Sequence, residues 1–170
     1  MKYVNIDTSD AKRFFTACEA AARGGFRREM ALWLESLGLE FLAIVQDEII
    51  RRNVMDTRLL LASFHKGNDN NVWELTEGGL TLEVGSTLNY AGYVNDGHWT
   101  NPKGVARRFV PGYWKGDRFI YDPSAEGGMV LKQKWVEGKH YWESALIILE
   151  KVLPDYLEKK MQEWLETYFK

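Results

Sequence analysis

The segment from His98 to Tyr121 holds Lys103, Arg107, Arg108, Lys115 and Arg118 against the single acid Asp117, a formal +4 with histidine neutral. Trp99, Phe109, Tyr113, Trp114 and Phe119 are interleaved with those cations. Cations mixed with aromatic rings can pair with phosphates while bases stack on the rings, which is how single-stranded nucleic acid is held. The same residue types also dominate the energetics of protein interfaces. Three readings therefore stand for this segment: contact with another subunit or neighbouring protein, contact with DNA, and a solvated loop pinned by its own rings. The whole chain is formally −2, which argues against an extended electrostatic grip on nucleic acid.

Other chemistries find little support in the residue pattern. His65, His98 and His140 are far apart in sequence and show no His-x-His or His-x-x-x-His spacing, so no metal site is expected. Ser63, Ser86, Ser124 and Ser144 lack the Gly-x-Ser-x-Gly elbow that exposes a nucleophile. Cys18 is the single cysteine; it falls in a helical pattern as a small apolar residue and can form no intrachain disulfide. Asp47 and Glu48 are helix neighbours that point to different sides, and no glycine-rich phosphate loop is present. A hydrolase would need His98 and His140 to converge with Asp96 in one cleft. The expectation is a protein with no catalytic centre, cofactor or metal. A binding alternative rests on Trp73, Trp99, Trp114 and Trp135, which as exposed platforms could stack on sugar faces in a carbohydrate-binding module.

The elements that position these residues are legible from periodicity. A chain of 170 residues, 45% apolar and 27% charged, fits one domain over 1–170. No uncharged run approaches the roughly 18 residues of a membrane helix, and no apolar leader opens the chain, so folding in a cytoplasm is expected. Thr8-Ser9-Asp10 predicts an N-cap before a short helix that breaks at Gly24-Gly25. From Phe26 to about Asn53 a longer helix is predicted, with Met30, Leu34, Leu37, Phe41, Ile44 and Ile49 as its core stripe. Val72–Glu77 and Leu80–Val84 alternate at period two around Gly78-Gly79, which predicts a hairpin with a primed turn, and Phe64-His65-Lys66 offers a third strand. Gly67–Asn71 reads as a loop. Residues 98–128 read as a long aromatic and basic arm, within which Arg108–Val110 and Arg118–Tyr121 are candidate strands. From His140 a closing helix returns, to be kinked or restarted at Pro154.

Two short motifs carry a resemblance. Met55-Asp56-Thr57-Arg58-Leu59 with Ser63-Phe64 is followed by Tyr90-Ala91-Gly92-Tyr93-Val94-Asn95-Asp96-Gly97, and Gly138-Lys139-His140-Tyr141-Trp142 then leads into a helix ending that motif series at Ala145. This series resembles the tail-component family of tailed bacteriophages and prophages, tail completion or tail terminator proteins of the head–tail neck. Arg58 stands where that family usually has Gly, and Asn95 where it usually has Glu. The resemblance implies a ring subunit, commonly sixfold, that caps the tail tube protein with one face and offers the other to a head-side connector. It implies Asn95, Asp96 and His98 as ring contacts or pivots of the following loop. Asp56-Thr57 reads first as a cap between helix and sheet; alternatively Asp56 and Arg58 project toward a neighbouring subunit. Under the same reading Trp99, Arg107, Arg108, Tyr113, Trp114, Lys115 and Arg118 face a subunit, a neighbour or DNA in a tail lumen. The expected fold is α+β: a small, mostly antiparallel sheet of three to five strands packed by long N-terminal and C-terminal helices.

Overall fold

A computed structural model describes residues 9–54, 58–76 and 81–169. Thr8 of the proposed cap, Asp56-Thr57 and the Gly78-Gly79 turn lie outside the described residues. The chain is α+β and divides into two compact units, one of residues 1–88 with 141–170 and one of residues 89–140.

In the first unit α1 (Ser9–Ala20) does not break at the glycine pair. It runs through a π-helical turn, Ala21–Gly25, into α2 (Phe26–Arg51), and Gly25 keeps right-handed helical angles. Two glycines cost about 2 kcal/mol of helix propensity, less than an amphipathic helix recovers by packing, so the junction is absorbed as a π-turn. The buried side of α2 is Trp33, Gly38, Phe41, Leu42, Val45, Glu48 and Ile49. Of the expected stripe only Phe41 and Ile49 are fully buried; Met30, Leu34, Leu37 and Ile44 are half-buried at its margin. The periodicity placed the face one position off because Gly38 and Glu48, which carry no apolar signal, occupy its centre.

α2 packs against α5 (Tyr141–Phe169) through aromatic rings: Phe41 lies 5.0 Å from Trp142, and Phe26 lies 4.9 Å from Trp164. The Tyr156 hydroxyl donates to the Trp33 carbonyl at 3.0 Å. Pro154 neither ends α5 nor starts a new helix; it is exposed, as is Glu150, the residue whose carbonyl a proline at this position leaves without its helical donor.

Phe64-His65-Lys66 is not a strand. α3 (Leu59–Ser63) ends there, with the Phe64 and His65 amides donating to Leu61 and Ala62 carbonyls. Phe64 is drawn into the core against Tyr141 and Trp142, and Gln46 donates to its carbonyl at 2.8 Å. The loop at 67–70 is an Asx turn, Asn68 Oδ1 accepting from the Asn70 amide at 2.9 Å. β1 (Asn71–Leu75) and β2 (Leu82–Ser86) form the expected antiparallel pair, with Trp73 opposite Val84 and Glu74 opposite Glu83. Glu74 and Glu83 are exposed, and Trp73 and Leu82 meet α2 at Gly38.

The second unit contains the whole segment expected as an arm, and most of that segment is built into strands. β4 (Arg107–Lys115) is central, paired antiparallel with β5 (Arg118–Tyr121) and β6 (Gly128–Lys132) in the order β5-β4-β6. Both candidate strands of the sequence lie within it. α4 (Ala91–Asp96) ends at Gly97, whose φ of 84° with ψ of 168° is not the left-handed helical cap but an extended positive-φ conformation open to glycine. β3 (Gly97–Trp99) then pairs with β7 (Trp135–Glu137). Lys139 and His140 amides donate to the Val94 and Asn95 carbonyls at 2.9 Å, closing the unit on itself. One sheet of three to five strands was expected; the described strands instead form separate sheets of two, two and three. Alternation along a strand defines its faces but not its lateral partner, and the partner is decided by long-range contacts.

Candidate interaction surface

Alternation along β4 sorts its residues onto two faces. Arg107, Phe109, Tyr113 and Lys115 share one face with Lys132 and Val130 of β6 and Arg118 and Ile120 of β5. Phe109, Tyr113 and Val130 are 55%, 52% and 58% exposed on that face. Arg108 and Trp114 project to the opposite face, where Trp114 packs edge-to-face on Phe119 at 5.3 Å.

The register sets like charges directly opposite each other twice on the first face. Arg107 faces Lys132 at one end of β4, and Lys115 faces Arg118 at the other. Such pairs destabilise a sheet by some tenths of a kcal/mol each. Between them lie the apolar pairs Phe109–Val130 and Tyr113–Ile120. The face therefore has an exposed apolar centre and a cationic pair at each end, an arrangement that an acidic, partly apolar partner would neutralise.

A second feature is a groove of about 470 Å³ bordered by Tyr93, His98, Trp99, Asn101, Arg108 and Trp135. Trp99 and Trp135 are cross-strand partners with rings 5.4 Å apart, and the His98 ring lies 5.7 Å from Tyr93 with Nδ1 3.3 Å from the Tyr93 carbonyl. Asn101 is buried, its amide donating to the Leu131 carbonyl at 3.0 Å. Neither Asp96 nor His140 borders this groove.

The other residues singled out by sequence are dispersed. Asn95 is buried, its amide donating to Asp96 at 2.7 Å and its carbonyl accepting from His140. Asp56 lies outside the described residues, and Arg58, in the first unit, is exposed at the start of α3 with a φ of 58°. Trp73 is in the first unit too, half-buried beneath the Lys66 ammonium, 4.0 Å from the ring centroid, whereas Trp99, Trp114 and Trp135 are in the second. Sequence reasoning missed Phe109's partner Val130 and the cation Lys132, because only register places them beside β4. Among the described residues no cluster of three His, Cys, Asp or Glu could hold a metal ion, and no helix is long and apolar enough to cross a membrane.

Charge divides between the units. Residues 89–140 carry eight Lys or Arg against five Asp or Glu, a formal +3, so the rest of a chain at −2 carries −5. In the acidic unit the Glu48 carboxylate is buried and accepts from Arg51 Nε at 2.8 Å and Arg52 Nε at 3.0 Å. The Arg51 guanidinium, with help from Ser144 and Arg52, holds its pKa at about 2 although burial pushes upward.

The chain is similar to two proteins of Bacillus subtilis strain 168. It is 49% identical over 155 residues to the phage-like element PBSX protein XkdI, covering 91% of this chain and 95% of the relative. It is 50% identical over 160 residues to the uncharacterized protein YqbI, covering 92% and 96%. No family model matches the chain. No solved structure matches it.

Proposed function

The chain belongs to the family that includes XkdI of the phage-like element PBSX and YqbI, which makes it a phage-related protein, and from that premise we propose a structural role in the virion tail. The protein completes or terminates the tail tube at the head–tail neck. It works as a homo-oligomeric ring subunit, six copies being the expected number, with the tail tube protein on one side and a head-side connector on the other. It is made in the host cytoplasm and incorporated into the virion, and its task is mechanical rather than catalytic.

The observation that carries this reading is a phage-element relative aligned over nine tenths of the chain. The tail assignment is supported by the Tyr90–Gly97 motif and the Gly138–His140 start of the next one, which the second unit brings into backbone contact. Assembly is supported by the exposed face of β4, whose repelling cation pairs suit a surface that is covered in use.

The test is removal of the gene from its phage or prophage and negative-stain electron microscopy of induced lysates. Overlong tails identify a terminator; full heads beside separate tails of normal length identify a completion or joining role. Normal, infectious particles overturn the assembly reading and turn attention to glycan binding by the Trp99–Trp135 groove.

A further inference from the structure

Along α5 the residues Ile147, Pro154, Leu157, Met161 and Leu165 follow one another at steps of seven, three, four and four residues, which keeps them on one side of the helix, and all are exposed. Ile147, Leu157 and Leu165 are 53%, 44% and 43% exposed, unusual for a helix whose other side supplies the core. Glu143, Glu150 and Glu158 fall on the same stripe, with Lys151 at its flank. The stripe is an apolar line set with acids.

It is complementary to the exposed face of β4 in both length and charge. Ile147 to Leu165 spans about 27 Å at 1.5 Å per residue, and Arg107 to Lys115 spans about 27 Å at 3.4 Å per residue. Glu143 and Glu158 lie about 22 Å apart along the helix, within side-chain reach of the two cationic pairs. The apolar centre of the face, Phe109, Tyr113 and Val130, meets the apolar line of the stripe. Both surfaces are exposed in the single chain.

We propose that the β4 face of one copy docks on the α5 stripe of a second copy, forming the seam between ring neighbours. The inference deepens the ring reading above and rests on it. Because two different surfaces meet, the contact is head-to-tail, and copies add until the rotation closes. The two cation pairs, each costly in a lone sheet, are then neutralised by Glu143, Glu150 and Glu158. Nucleic acid fits the face less well. Its cations stand at the two ends rather than along a continuous track.

The test is sedimentation velocity of the full chain in low salt, up to about 1 mM, the weak end of specific association. One variant carries Arg107→Glu and Lys132→Glu, a second carries Glu150→Lys and Glu158→Lys, and a third carries all four. The wild type is expected to associate, and each of the first two variants to lose at least about tenfold in association. Mixing those two, or combining the changes in the third, is expected to restore it, since opposite charges again meet. Circular dichroism establishes folding, and the Gln versions of the same pairs replace any variant that fails to fold. A wild type that stays monomeric, association insensitive to either pair, or no restoration by the combined change would each overturn the seam. Loss of single-stranded oligothymidylate binding in the Arg107/Lys132 variant, with association intact, would assign the face to nucleic acid instead. The gene-removal experiment reads the virion role separately, so either idea can fail while the other stands.

Discussion

Gly97 and Gly138, 41 residues apart in sequence, meet backbone to backbone where β3 and β7 pair. A Cβ on Gly97 would stand 2.8 Å from the Gly138 nitrogen, and a Cβ on Gly138 would stand 2.8 Å from the Gly97 nitrogen. The neighbours are main-chain atoms, so no rotamer change relieves the crowding, and the φ of 84° at Gly97 adds strain for any other residue.

Gly97→Ala and Gly138→Ala are each expected to cost more than about 2 kcal/mol. The loss should fall on residues 89–140, read as faster amide hydrogen exchange there than in α2 or α5. Uniform exchange with an unchanged melting temperature would show that the close approach is not needed.

Gly38 sets two effects of opposite sign against each other. Replacing a mid-helix glycine with alanine favours the helix by about 1 kcal/mol. The added Cβ would lie 2.9 Å from Trp73 Cη2 and closer still to Leu82 Cδ2. Overpacking costs about 1–3 kcal/mol, and Trp73 is held from its other side by Lys66. Gly38→Ala should therefore destabilise, by about 1 kcal/mol net in urea unfolding, and a rise in stability would mean that the Trp73 and Leu82 side chains yield freely.

Arg58 takes a φ of 58°, a left-handed conformation, at the position where the resembled tail-component motif has glycine. Relief of that conformation is worth about 1–2 kcal/mol, offset by about 0.5–1 kcal/mol of unfolded-chain entropy. Arg58→Gly should raise the melting temperature by about 1–2 °C. If Arg58 also contacts a neighbouring subunit, the same variant assembles less well while its monomer is more stable, and a fall in monomer stability would instead point to a contact within the chain.

Glu48 predicts a defined acid limb. Its folded pKa, about 2, lies below the ordinary 4.5 because Arg51 binds the carboxylate, with Ser144 and Arg52 adding to the effect against the burial cost. That stabilisation is complete above pH 4.5 and is lost as the pH falls from 4.5 toward 2. Glu48→Gln should lower stability at neutral pH by about 2 kcal/mol and flatten the stability–pH curve in that window. A variant curve parallel to the wild type would remove Glu48 from the account of acid unfolding.

The sequence by itself determined where the two long helices lie, the pairing of β1 with β2, and the cationic and aromatic character of residues 98–128. Periodicity of 3.6 or 2 is a local property, and Glu74 beside Glu83 follows from symmetric alternation about a glycine pair. Only the tertiary structure decided that the presumed arm is a sheet, because β6 joins β4 through pairings with residues as distant as Lys132, and register across such a gap leaves no local trace. It also decided that Phe64 is core rather than strand, through rings from α5 that no neighbouring residue announces. The candidate surface divides in the same way. Its cations and aromatics were visible as composition, whereas the facing of Arg107 with Lys132 and of Lys115 with Arg118, which gives the surface its electrostatic demand for a partner, exists only in the folded sheet.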